Sequence, residues 1–125
     1  MAIVKTIEID GVPVSFRASA AVPRLYRNKY QRDIFADMDT LVQAISESDA
    51  EKSTLSAFNL ELFENIAHLM AKHADPTVPD DVLEWLDNFS TFSIYFVLPL
   101  ILELWGLNVK SEAKVKKKSQ KQSAK

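Results

Sequence analysis

The hydrophobic period changes once along this chain, from two at the N-terminus to nearly four thereafter, and this change does most to limit the folds open to it. Apolar and polar residues alternate on both sides of Asp10-Gly11, with Ile7 and Ile9 before the pair and Val14, Phe16 and Ala18 after it. Alternation around Asp-Gly predicts a β-hairpin, because the tight turn needs positive φ where Gly has no Cβ to clash. Pro13 cannot donate to a strand ladder, so its strand has an exposed edge or a bulge there. A lone two-stranded hairpin is marginal in water and must pack on something.

Helical spacing supplies that something. From Pro23 to about Glu47, the residues Tyr26, Tyr30, Ile34, Met38, Leu41, Val42 and Ile45 fall on one broad face. Pro23 suits a first turn, where its missing N–H is no loss. The stripe runs unbroken through Gln31 and Arg32, predicting one long helix with a bend there left open. Residues Ser46 to Lys52 read as a polar connection. A second helix is expected from Thr54 or Leu55 to His73, capped by Ser53 or Thr54, with Leu55, Phe58, Leu62, Ile66, Leu69 and Met70 inward. Asp75-Pro76-Thr77-Val78-Pro79 breaks it. Pro79 is expected to open a third helical region carrying Val82, Leu83, Trp85, Leu86 and Phe89. After Ser90-Thr91 comes the most apolar segment, Phe92 to Trp105, expected as a buried core helix and ended by Gly106 and Asn108. The fold class expected is mainly α: a small helical bundle with an N-terminal β-hairpin, residues 1–108 forming one domain, and a disordered basic tail over 109–125. Phe16, Phe58 and Trp85 are expected in the core shared by hairpin and helices.

Charge is distributed unevenly. The whole chain carries −2, yet Val109 to Lys125 holds seven lysines against Glu112 alone, +6, which leaves −8 on the body. The tail offers neither arginine nor an aromatic to stack on bases, and an acidic body repels phosphate, so nucleic acid is not an expected partner. No cysteine is present, which excludes disulfides and thiolate chemistry. The N-terminus lacks the basic and apolar regions of a signal peptide, and a cytoplasmic location is expected. A membrane is not an expected partner either. Phe92 to Trp105 falls short of the ~20 residues a span needs and is interrupted by Pro99.

Chemistry finds little to use. Glu61, Glu64 and His68 share one side of the second helix, opposite its apolar face, and read as a solvated surface in preference to a metal site. His73, near the helix end, reads as a favourable dipole contact. Asp33, Asp37 and Asp39 fit the start and exposed side of a helix. The two glycines, Gly11 and Gly106, make no phosphate loop, and there is no nucleophile elbow. The expectation is a non-enzyme without metal or cofactor. The Phe92–Trp105 segment, apolar on nearly every face in a domain too small to bury it all, leaves Phe92, Tyr95, Phe96 and Trp105 as the candidate partner-binding residues.

The stretch Phe16-Arg17-Ala18-Ser19-Ala20-Ala21-Val22-Pro23-Arg24-Leu25-Tyr26-Arg27, followed by Tyr30-Gln31-Arg32-Asp33-Ile34, resembles the signature of the phage tail assembly chaperones of siphophages and of prophages of Gram-positive bacteria. These share a short N-terminal hairpin, a Pro-x-x-Tyr-Arg segment, an aromatic-Gly-Arg-Asp step, a later Trp-Leu pair, here Trp85-Leu86, and a lysine-rich end. Two positions depart. Gln31 stands where the family usually has Gly, which favours a continuous helix, and Val22 replaces a Thr or Ser cap. The resemblance implies a cytoplasmic, self-associating protein that binds the tape measure protein, an aggregation-prone rod, and keeps it soluble during virion assembly. It also implies a longer partner made by ribosomal frameshifting, with which Lys116-Lys117-Lys118 is compatible through an A-rich codon run. The alternative reading is a structural tail completion or connector protein of the virion. Arg32 and Asp33 are adjacent and cannot face each other on a helix, so each is expected to serve a cap or an internal ion pair.

Overall fold

The computed structural model of the chain describes residues 3–47, 56–90 and 93–106. The predicted disordered tail over 109–125, the cap at Ser53 or Thr54, Leu55, Phe92 and Asn108 lie outside these residues.

Strands β1 (Ile3–Ile9) and β2 (Val12–Ala18) form the expected antiparallel hairpin. Asp10 and Gly11 take φ of 55° and 79°, the two positive values of a type I′ turn. Ile9 opposes Val12 across that turn, so hydrogen-bonded and open pairs alternate outward from there. Pro13, opposite Glu8, falls at an open pair and removes no ladder bond. The ladder runs without a bulge, so the edge alternative is the one realised. Ile9, Phe16 and Ala18 share the buried face, with Ile7 and Val14 half-buried beside them.

Helix α1 (Ala21–Tyr30) follows, starting two residues before Pro23, which still lies in the first turn. Val22 is fully buried, so an apolar residue belongs there and the capping is done from Ser19. Its carbonyl accepts from Val22 N–H at 3.1 Å, and its Oγ accepts from Ala21 N–H at 3.3 Å. Of the two readings left open around Gln31, one long helix or a bend, the structure forms a break. Gln31 adopts the left-handed conformation, φ 60° and ψ 38°, and its N–H closes α1 on Arg27 O at 2.8 Å. Helix α2 (Ile34–Glu47) then starts anew. Tertiary contacts described below override the local preference of Gln for a helix.

Helix α3 (Ala57–Ala74) is capped by Ser56, whose Oγ accepts from Asn59 N–H at 3.1 Å. It lies against β2, α1 and α2, and its second half, from Ile66 to Ala71, is buried on every side. Phe58, expected in the core, is instead 51% exposed, because the first turn of α3 projects beyond the elements that cover the rest. Helix α4 (Val82–Leu86) begins three residues after Pro79 and is short. The apolar run expected as one helix divides into a 3₁₀ turn (Ser93–Val97) and α5 (Leu98–Leu104), with Pro99 in the first turn of α5. Gly106, at φ 85°, ends it, its N–H bonded to Glu103 O at 2.9 Å. No helix among the described residues is long and apolar enough to cross a membrane.

Phe16 is fully buried and meets Trp85 edge to face at 6.5 Å, so hairpin and helices share one core. Trp85 also contacts Phe89 and the ring of His68.

Candidate protein-binding surface

The apolar C-terminal segment does not present its aromatics together. The 3₁₀ turn points Tyr95 at α3: its ring lies 6.0 Å from Phe63 and its hydroxyl donates to Glu64 at 2.6 Å. That carboxylate, together with burial, pushes the Tyr95 hydroxyl up to about 12. Trp105, half-buried, donates from Nε1 to Met70 Sδ at 3.2 Å and meets Phe35 edge to face at 6.0 Å. Phe96 differs from both. Its side chain is 77% exposed, the most exposed of the large apolar residues described.

Phe96 stands on the rim of a groove of about 240 Å³ between the end of β1 and the C-terminal helical segment, where Ile7, Ile9, Val97 and Leu100 supply apolar lining. A second groove, about 490 Å³, lies between Ile3 and Ala18 on one side and Leu104 and Trp105 on the other. Hairpin and C-terminal segment are held in this relation by Asp10. Its carboxylate accepts from Ser90 N–H at 2.8 Å and from the Ser90 and Ser93 hydroxyls, which also contact each other. These bonds, that from Ser93 foremost, hold the Asp10 carboxyl below the usual carboxylate range. The groove residues contributed by β1 were not among the expected binding residues. Their signal was weak, since Ile7 and Ile9 read simply as hairpin core.

Two polar residues expected at the surface are buried. Asp37 is 3% exposed and joins the two segments on either side of Gln31. It accepts from Tyr26 OH at 2.7 Å and from Arg32 Nε and Nη2, each at 2.8 Å. Burial alone would raise its pKa, but the bonds from Arg32 and Tyr26 outweigh it and the carboxyl titrates below 3.8. Arg32 therefore serves an internal ion pair, and it also lies over the Phe58 ring at 5.3 Å. Asp33 caps α2, accepting from Phe35 N–H at 3.0 Å, as anticipated for that pair of residues. Asp37 carried a signal in the sequence: it lies between Ile34 and Met38 on the apolar stripe.

His68 is the second correction. At 1% exposure it sits under Trp85 with Nε2 2.7 Å from Pro79 O, while Glu61 is exposed and Glu64 is engaged by Tyr95. A carbonyl only accepts, so Nε2 carries the proton, and Nδ1 is buried without a partner. Burial foremost, with Lys29 and Lys72 nearby, holds the ring below its ordinary pKa of 6.5 against the Pro79 bond and Asp80. The three residues are thus directed apart, and no three His, Asp or Glu side chains among the described residues come together to hold an ion. His73, in the last turn of α3, also bonds Ser19 Oγ at 3.1 Å.

Comparison of the chain with protein-family models, curated proteins and solved structures finds no match.

Proposed function

We propose that the protein is a tail assembly chaperone of a long-tailed phage or prophage, which binds the tape measure protein in the host cytoplasm and keeps it soluble until the tail forms. The observation that carries the reading is Phe96, a large apolar side chain left in solvent at the mouth of a groove that Ile7, Ile9, Val97 and Leu100 line together with Glu8, Asp10 and Ser93. An exposed aromatic beside a groove gives a docking partner apolar area to bury, and burial of that area favours the complex. Repeated weak apolar contacts along a rod would oppose its self-association by multivalency, without catalysis.

The resemblance gains support from the joint between α1 and α2. Gln31 takes a left-handed conformation at the position where the family usually has Gly, the residue for which that conformation carries no steric cost. Tyr26 and Arg32, both within the resembling segment, converge on Asp37. Among the four expected binding residues, Phe96 is the one to which the reading now gives first place.

Coexpression with the tape measure protein is the test. The wild-type chain should raise the soluble fraction of the rod, and Phe96→Ser should raise it far less while keeping the parent's circular dichroism. No rescue by the wild type would overturn the chaperone reading. Equal rescue by a folded Phe96→Ser protein would remove Phe96 from the site. Recovery of the protein in mature particles would favour a connector instead.

A further inference from the structure

We propose that two copies of the chain pair through the outer edge of β1, antiparallel and centred on Thr6, to make a continuous four-stranded sheet. The hairpin register determines which backbone groups are free. Ile9, Ile7, Lys5 and Ile3 face β2 at hydrogen-bonded pairs, so the N–H and C=O groups of Val4, Thr6 and Glu8 point away from it. This edge carries no proline, whereas the outer edge of β2 lacks a donor at Pro13. Ile3 and Val4 are more than half exposed, at 53% and 54%, although they are β-branched residues suited to a sheet interior. The space below the edge is open as well, since both grooves described above lie between β1 and the C-terminal helical segment.

Self-complementarity argues for a second copy as the occupant. With Thr6 on the two-fold axis, all seven residues of β1 pair, Ile3 opposite Ile9 and Val4 opposite Glu8 of the other copy. Centring on Lys5 instead would set two lysines directly opposite each other, which is unfavourable. In the Thr6 register, Glu8 of one copy joins the rank that runs through Val4 and Arg17 of the other. Glu8 and Arg17 are exposed and neither has an ion-pair partner among the described residues. Pairing therefore sets opposite charges in one rank twice, once on each side of the axis, two strand spacings or about 10 Å apart at the backbone and within reach of these long side chains.

The proposal locates the self-association within the function proposed above, but it does not depend on client binding. Sedimentation of the full chain should show a reversible dimer at concentrations up to ~100 μM, as mass action requires for a modest interface. Thr6→Pro removes an outward N–H and leaves the internal ladder intact, and should weaken the dimer on the order of tenfold or more. Glu8→Arg should weaken it too, and Glu8→Arg combined with Arg17→Glu should restore it. A wild-type chain that stays monomeric, or a dimer unaffected by Glu8→Arg and by a folded Thr6→Pro variant, overturns the proposal. A monomer that still solubilises the rod would sink strand pairing and leave the chaperone reading intact; a β1-paired dimer that gives no rescue would do the reverse.

Discussion

Asp37 and His68 are buried among the described residues, and they respond to acid in different ranges. Asp37→Ala would leave the Tyr26 hydroxyl buried without its acceptor. Because Arg32 is 44% exposed and finds water instead, the cost is set mainly by the tyrosine, at about 2–3 kcal/mol. A fall in thermal midpoint of several degrees checks this. The Asp37 carboxyl titrates lower in the folded than in the unfolded chain, so its contribution is complete above 3.8 and is lost as pH falls below that value. His68 acts earlier. Its folded pKa lies below 6.5, so as pH drops through 6.5 the unfolded chain takes the proton first and stability declines. His68→Gln keeps a donor for Pro79 and abolishes the titration. Denaturation midpoints measured between pH 7 and 5, a window chosen around the roughly 6.5 of a free imidazole, should slope for the parent and flatten for the variant.

At the level of elements, local signals were legible and tertiary ones were not. The hairpin could be read because both of its determinants, alternation and Asp-Gly, lie within adjacent residues. The break at Gln31 is left open by the local pattern, since what accompanies it is tertiary: Tyr26 and Arg32 reach Asp37 across it. Gln31→Gly should therefore stabilise the protein by about 0.5–1 kcal/mol, raising the thermal midpoint, whereas Gln31→Ala should not. Phe58 and His68 were misplaced for one reason. Periodicity marks an apolar face along a whole helix, but α3 is covered on every side in its second half and uncovered at its first turn. Phe16→Ala should cost about 3–5 kcal/mol in chemical denaturation, and Phe58→Ala about 1 kcal/mol or less, mostly its contact with Arg32. Of the expected binding residues, Phe96 lies free at a groove because the 3₁₀ turn directs it away from Tyr95, a distinction that a uniformly apolar run does not encode.

For the molecule as a whole, the bonds from Asp10 to Ser90 and Ser93 tie the hairpin tip to a segment 80 residues later. Asp10→Gly retains a Gly-Gly turn, which also favours type I′, and removes the carboxylate. Hydrogen exchange at residues 93–97 should accelerate while the β1 and β2 amides keep their protection; loss of protection in both would mean that the turn itself had failed. The same closure bears on the order in which the chain is made. The hairpin is synthesised before the helices that cover it, yet Phe16 meets Trp85 and Asp10 meets Ser93 only after the chain has been extended through α4 to the C-terminal segment. Non-local pairings of this kind slow folding and prolong the life of unburied surface. Until then the nascent chain carries an unsupported β-strand pair, and shares for that interval the hazard from which it is proposed to protect another chain.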